Sequence, residues 1–316
     1  MSIVLNVVLP VFGIILAGVV MGRTRLLGDG ASDALNRFVY WAALPPVVFL
    51  GTARTPIVEF LNWPFLGTFV GGMLTVYVMA AVFAAVLHRS RADVASLQAL
   101  NACFSNTGYM GIPLFLAAFG PDRIAPAILA TVMMSTLMVG LAVVVLELVG
   151  STGKGAVRAL AGVAAALARN PLVVLPVLGL ALSAAEVRLP TALVTFCQLL
   201  GAAAGPCALF AIGLFLAGRP PSRQAVSGRM GEIGWITVLK LVVQPVLTWV
   251  LGRHVFGLAA DWLTAAVVLA ALPTGSLTFV VAQQYRIYVE RTSTVILATT
   301  ILSVVTLSVA LALFPP

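Results

Sequence analysis

Two short polar interruptions carry the residues best suited to ligand chemistry. NTGYMGIP at residues 106–113 and LPTGS at residues 272–276 both lie within long apolar stretches. Glycine and proline weaken a helix, and asparagine, threonine and serine bring polar groups that lipid cannot satisfy. We therefore expect two broken membrane helices. Their free N–H ends would attract a carboxylate, and their free C=O ends would hold a cation.

The predicted substrate site consists of these interruptions and their neighbours. Neutral side chains offer hydrogen bonds, glycines let a ligand approach the backbone, and prolines mark the ends of half-helices. The alternative is that both interruptions are packing kinks, since glycine and proline are common in membrane helices. The predicted substrate-binding residues are Asn101, Asn106, Thr107, Gly108, Gly111, Pro113, Pro273, Thr274, Gly275, Ser276, Thr278 and Lys240, and the candidate ion-binding residues are Gln283 and Gln284.

Two cations lie inside apolar stretches. Lys240 lies roughly 12 Å from the inner end of its stretch at the rise of an α-helix. A cation at that depth indicates function, and the alternative is that its stem reaches the interface. Arg37 lies near the start of its stretch, which favours an interfacial role. No aspartate or glutamate is expected at mid-membrane, where a proton relay would need one.

The composition predicts a polytopic membrane protein. Of the 316 residues, 61% are hydrophobic and 9% are charged, whereas soluble proteins carry about 25% charged residues. A span needs roughly 20 apolar residues. The ten candidate spans are residues 3–21, 34–52, 64–87, 94–119, 124–148, 171–187, 191–217, 232–256, 262–285 and 293–314. The net charge of +8 lies mostly in the loops between them, so we expect a lipid bilayer as partner and no nucleic acid.

The loop charges predict an orientation. Twelve lysines and arginines follow odd-numbered candidate spans, and four follow even-numbered ones. Because cytoplasmic loops are enriched in these residues, the odd loops are expected in the cytoplasm. Both termini would then lie outside it.

The chain repeats itself. VVLPVFGIIL at residues 7–16 matches VVLPVLGLAL at residues 173–182 with an offset of 166. ILATVMMSTLMVGLAV at residues 128–143 matches ILATTILSVVTLSVAL at residues 296–311 with an offset of 168. An offset of 167 aligns the two polar interruptions. A repeat of five spans must enter the membrane in the opposite orientation, and inverted repeats of this kind are typical of secondary transporters.

The repeat divides the chain into three parts. The first five-helix repeat covers residues 1–150, a cytoplasmic linker covers residues 151–170, and the second, inverted repeat covers residues 171–316.

Longer segments around the interruptions resemble a known family. NACFSNTGYMGIPLFLAAFG and LPTGSLTFVVAQQY resemble the two crossover helices of the auxin efflux carrier family, which contains plant PIN-FORMED carriers and bacterial malonate and malate permeases. LNRFVYWAALPPVVF resembles the second span of the plant carriers. The family is related to the bile acid and sodium symporters. The linker is much shorter than the long cytoplasmic loop of the plant carriers, which favours the bacterial permease branch.

The resemblance implies a fold and a location. The fold is an all-α polytopic membrane protein of ten helices in two inverted five-helix repeats, with helices 4 and 9 broken and crossing at mid-membrane. Spans 1, 2, 6 and 7 would form a scaffold and the other spans a moving core. A homodimer through the scaffold helices is implied, in the inner membrane of a bacterial cell, with both termini extracytoplasmic.

The predicted function is a secondary transporter, or permease, of small organic anions such as malonate, malate or another carboxylate, working by alternating access. Two alternatives remain: a sodium-coupled symporter of amphipathic organic acids, and a membrane sensor that binds a ligand without transporting it. No enzyme is predicted, because no nucleophile, nucleotide-binding or metal-ligand motif occurs. No cofactor is expected apart from sodium as a candidate coupling ion, held by backbone, threonine and glutamine oxygens.

Overall fold

The computed structural model describes residues 9–28, 30–54, 56, 62–150, 165, 168–169, 171–218 and 230–315. Within these residues the protein is built from helices and contains no strand, only one isolated bridge between two extended residues. The all-helical class is therefore confirmed. Most of the predicted linker, residues 151–170, lies outside the described residues.

The α-helices of the described residues are α1 (Leu9–Thr24), α2 (Ala31–Phe38), α3 (Leu44–Arg54), α4 (Trp63–Val86), α5 (Ala92–Cys103), α6 (Ile112–Ala118), α7 (Ala125–Met133), α8 (Val139–Gly150), α9 (Pro171–Ala184), α10 (Thr191–Ala202), α11 (Ala204–Gly218), α12 (Met230–Val238), α13 (Gln244–Val250), α14 (Ala260–Ala270), α15 (Leu277–Tyr285) and α16 (Val289–Leu313). Wider π-helical turns join several of them into continuous rods. These turns are Val39–Ala43 between α2 and α3, Thr107–Gly111 before α6, Met134–Met138 between α7 and α8, Leu239–Val243 between α12 and α13, and Leu251–Val255 after α13.

Four helices among the described residues are long and apolar enough to cross a membrane. They are Trp63–Val86, Thr191–Gly218, Gly231–Val255 and Val289–Leu313. The shorter apolar helices are Leu9–Thr24, Thr107–Ala118, Pro171–Ala184 and Ala260–Ala270. Two of these four are short because the polar interruptions divide longer apolar stretches.

One group of helices packs through glycine. Helix α1 packs against α11, and α3 packs against α9. A Cβ atom added to Gly18 would lie 2.3 Å from the carbonyl oxygen of Phe210, and one added to Gly213 would lie 2.1 Å from that of Ile15. The backbones of α1 and α11 therefore touch at these positions, which is how small residues bring membrane helices together.

This contact leads to a stability prediction. Gly18→Ala should lower the thermal midpoint of the purified protein by several degrees, because overpacking typically costs about 1–3 kcal/mol and the clash is with backbone rather than a movable side chain. Gly13→Ala in the same helix is the matched control, since nothing lies within 4 Å of its added Cβ. Differential scanning fluorimetry in detergent compares the two. Equal midpoints for the two variants would show that the close contact between α1 and α11 does not contribute to stability.

A second group of helices, α4 to α8 and α12 to α16, surrounds the polar interruptions. Its core holds fully buried Phe65, Phe69 and Met73 of α4, and Phe65 stacks edge-on against Trp262 of α14. Each interruption thus lies inside a packed apolar surround. Its backbone polar groups must therefore find partners within the protein or line a cavity.

A buried carboxylate ties one end of this second group together. Glu232 of α12 is 1% exposed and accepts hydrogen bonds from Gln98 of α5 and from the hydroxyl of Tyr288. Nη1 of Arg291 lies 3.3 Å from its Oε2 atom. Burial, followed by the hydrogen bond to Glu232 and the charge of Glu232, raises the pKa of Tyr288. The phenol therefore stays protonated as a donor, and three separate helical segments share one charge.

Candidate functional site

The two polar interruptions cross each other. Helix α5 ends at Cys103, after which Phe104 is extended, and helix α14 ends at Ala270, a few residues before the bridge residue Thr274. Ser105 and Thr274 form an antiparallel bridge. The N–H of Asn106 donates to the carbonyl of Pro273 at 2.9 Å, and the N–H of Gly275 donates to that of Phe104 at 3.0 Å. Each interruption therefore supplies the backbone partners that the other lacks.

Local sequence explains where the helices stop and resume. Pro273 has no N–H and disfavours helical backbone before it, so α14 ends shortly before this residue. A Cβ atom on Gly275 would lie 2.7 Å from the ring of Phe104 and 3.2 Å from the Cα of Asn106, so the close crossing requires glycine. On the other chain segment the helix resumes at Thr107, through a π-helical turn. The α-helix α6 then begins at Ile112 and carries Pro113 in its first turn, as predicted.

A cavity of about 570 Å³ lies beside this crossover. Its inner wall contains Asn106, Thr107 and Ser276 from the two interruptions. Phe215 of α11 and Phe279 of α15 contribute aromatic surface. The volume falls in the range of about 300–1,000 Å³ typical of small-molecule sites, which combine apolar walls with a few convergent polar groups.

The starts of both resumed helices face this cavity. Two N–H groups near the start of each helix have no acceptor within the described part of the chain. They belong to Gly108 and Tyr109 in one helix and to Ser276 and Leu277 in the other, and all four residues line the cavity. Helix N-termini carry partial positive charge, and free N–H groups there bind anions. The arrangement therefore suits a carboxylate.

Helix α2 and the turn after it also line the cavity and bring its cation. Asp33, Asn36, Arg37 and Tyr40 all line the cavity, and their spacing places them on one face of the helix. Arg37 is the one lysine or arginine among the described lining residues. Its guanidinium can bind a carboxylate through two parallel hydrogen bonds. The sequence analysis favoured an interfacial role for Arg37; in the structure the residue is exposed and also lines the cavity, and the polar spacing of α2 was a usable signal for that.

Several predicted substrate contacts lie behind the crossover rather than in the cavity wall. The hydroxyl of Thr274 donates to the carbonyl of Asn101 at 2.8 Å, and the hydroxyl of Thr278 donates to that of Gly275 at 2.8 Å. Nδ2 of Asn101 donates to the Thr292 hydroxyl of α16 at 3.0 Å. These buried side chains position the crossover. Direct contact between them and substrate stays a prediction.

The remaining predicted residues also divide between the packed interior and the cavity. Gly111 packs against Leu272, since a Cβ atom there would lie 2.9 Å from that side chain, and Pro113 lies close to Gly205 of α11. Gln283 lines the cavity. The side chain of Gln284 lies outside the described residues.

Lys240 is fully buried and does not line the cavity. Its amine donates to Ser105, Gln244 and the carbonyl of Ala270. The amine therefore does not extend to an interface, and its predicted contact with substrate stays a prediction.

Residues 3–311 match the model of a family described as membrane transport protein. This chain belongs to the membrane transport protein family. The match confirms the resemblance to the auxin efflux carrier family. Membership assigns transport across a membrane and not catalysis, in agreement with the sequence prediction.

Named relatives of this membrane transport protein are also transporters. It is 35% identical, over 98% of this chain and 95% of the relative, to a Rhizobium meliloti (strain 1021) protein named "Putative malonate transporter". It is 26% identical, over 94% of this chain and 93% of the relative, to "Uncharacterized transporter YfdV" of Escherichia coli (strain K12). A Shigella flexneri protein of the same name matches at the same identity and coverage.

Proposed function

We propose that this membrane transport protein is a permease for a small organic anion with one or two carboxylates. The main support for this proposal is that two helix N-termini with unpaired N–H groups converge on one cavity. Arg37 lines the same cavity. One carboxylate binds at the helix starts near Gly108 and Ser276, and a second binds the guanidinium. The relative named for malonate supports a short dicarboxylate.

The proposed architecture has ten spans in two inverted repeats, residues 1–150 and 171–316, joined by the linker of residues 151–170. Helical segments at each of the ten predicted stretches support this count. The helix pairings support the repeat, because the offset of about 167 exchanges the pair α1 and α11 with the pair α9 and α3. The crossover likewise joins corresponding positions of the two halves.

Transport proceeds by alternating access between two groups of helices. Helices α1, α2, α3, α9, α10 and α11 form the proposed scaffold, and the group around the crossover forms the moving part. The cavity is shared by the two groups, because its lining residues come from α2 and α11 of one group and from the interruptions and α15 of the other. A displacement of one group relative to the other would carry the bound anion with the crossover.

The proposed orientation places both termini outside the cytoplasm in a bacterial inner membrane. Arg37 and Gln283 then lie towards the cytoplasmic end of the cavity, and both are exposed, so the cavity opens to that side. We also propose a homodimer through the scaffold. Exposed apolar side chains on the outer faces of α9 and α10, such as Val177, Phe196 and Leu199, suit either lipid or a second copy.

Counterflow in proteoliposomes tests the proposed function. Vesicles preloaded with unlabelled malonate or malate should accumulate the labelled anion from outside, and protein-free vesicles should not. Binding without counterflow would make the protein a ligand sensor. The absence of both binding and counterflow, across a panel of short mono- and dicarboxylates, would overturn the assignment.

A further inference from the structure

The negative ends of two half-helices lie close together at the crossover, since Lys240 and Gln244 bind one carbonyl at each end. Cys103 is the last residue of α5, and Ala270 is the last residue of α14. Carbonyl groups at a helix C-terminus lack intrahelical partners and carry partial negative charge. Two such ends buried together form a place where a cation is stabilised.

One turn of the rod formed by α12 and α13 covers both ends. Nε2 of Gln244 donates to the carbonyl of Cys103 at 2.8 Å, and Nζ of Lys240 donates to the carbonyl of Ala270 at 2.8 Å. The two residues are four positions apart and therefore lie on the same face of the rod. Nζ of Lys240 also donates to Oε1 of Gln244 at 2.6 Å, which fixes the pair as a unit.

The surroundings of Lys240 have the composition of a cation site. Its third hydrogen bond goes to Oγ of Ser105 in the interruption, at 2.9 Å, so three oxygens match the three N–H groups of an ammonium. Within the described part of the chain, no carboxylate pairs with it. In its protonated form the amine is surrounded by backbone, amide and hydroxyl oxygens, the neutral ligand types that also bind hard metal cations.

We infer that Lys240 is a tethered cation that takes the place of a coupling ion at the crossover, so the protein moves its anion without sodium. The transport part of this inference rests on the proposed function. A cation joined covalently to the protein cannot be released and rebound in each transport cycle. At this position there is therefore no exchangeable ion that could couple a sodium gradient to transport. Lys240 acts as a positioning residue, because it holds Ser105 and Ala270 of the two crossing segments together.

Two substitutions separate the charge of Lys240 from its volume. Lys240→Ala removes both and opens a space lined by three oxygens. Lys240→Met removes the charge and keeps most of the volume, so no space for an ion is created. Both should lower the thermal midpoint by several degrees, because each strands buried oxygens. Sodium, lithium or methylammonium should raise the midpoint of Lys240→Ala relative to choline at equal ionic strength, and should leave Lys240→Met unchanged.

The wild-type protein supplies the decisive comparison. Its midpoint and its counterflow should be the same in sodium and in choline. A midpoint or counterflow rate that rises with sodium would overturn the inference, even if neither variant folds. A Lys240→Met midpoint equal to that of the wild type would also overturn it, because the amine would then hold nothing in place. If the wild-type midpoint is the same in sodium and choline but no counterflow occurs, the result counts against the proposed function. It would not contradict the assignment of Lys240 as a tethered cation.

Discussion

Arg37→Gln is expected to weaken the binding of malonate by about ten- to a hundredfold. A hydrogen bond to a charged group contributes about 1.5–3 kcal/mol, and each 1.4 kcal/mol corresponds to about tenfold in affinity. Glutamine removes the charge and the paired N–H groups and keeps a polar but shorter side chain. Because Arg37 and the helix starts line the same cavity and would hold different carboxylates, a dicarboxylate should lose more affinity than a monocarboxylate. Isothermal titration of the purified variant measures both.

Arg188→Gln is the matched control for this substitution. Arg188 is an exposed residue between α9 and α10 and does not line the cavity, so the net charge changes equally while the site stays intact. Arg37→Lys should give an intermediate affinity, since lysine keeps the charge but loses the planar fork. If Arg37→Gln and Arg188→Gln bind malonate equally well, Arg37 takes no part in recognition.

Gly275→Val is expected to abolish counterflow. Any Cβ at this position overlaps the Phe104 ring, and a β-branched side chain leaves it no room to relax. The crossing segments must separate, which breaks the hydrogen bond from Gly275 N–H to the Phe104 carbonyl and turns the nearby N–H groups of Ser276 and Leu277 away from the cavity. Malonate affinity should fall by about five- to a hundredfold, because losing even one buried hydrogen-bond partner costs about 1–3 kcal/mol.

A graded series separates this effect from general misfolding. Gly275→Ala should reduce counterflow less than valine does, and Phe104→Ala in the same chain should restore part of it by removing the ring that the new Cβ meets. Gly234→Ala is the control, since nothing lies within 4 Å of its added Cβ. Size-exclusion profiles of all variants show whether each remains monodisperse. Full transport in Gly275→Val would mean that the two segments do not need to touch.

The sequence allowed the class of fold, the family and the position of the crossover to be predicted. Proline at 273 and glycine at 275 act on their own backbone, so their effect can be read locally, and the matching interruption at residues 106–108 indicated that the two belong together. The exact start of the second half-helix at Thr107 was less accessible, because a π-helical turn has no strong local signature.

Contacts between distant segments could not be predicted from local pattern. Lys240 bonds to Ser105, which lies 135 positions away, and only the packing of α12 and α13 against the interruption brings them together. Arg37 posed a different difficulty. A single cation near the end of an apolar stretch looks the same whether it faces lipid headgroups or a cavity, and the distinction depends on which helix packs opposite it.

The mutual bonding of the two interruptions has a consequence for how the chain is made. Asn106 and Phe104 pair with Pro273 and Gly275, which leave the ribosome 167 and 171 positions later. At about 5–20 residues per second, this corresponds to a delay of roughly 10–30 s. Throughout that delay the emerging first half carries polar backbone that lipid cannot solvate. It must therefore wait in contact with water or the insertion machinery, and the two halves reach their final membrane depth together.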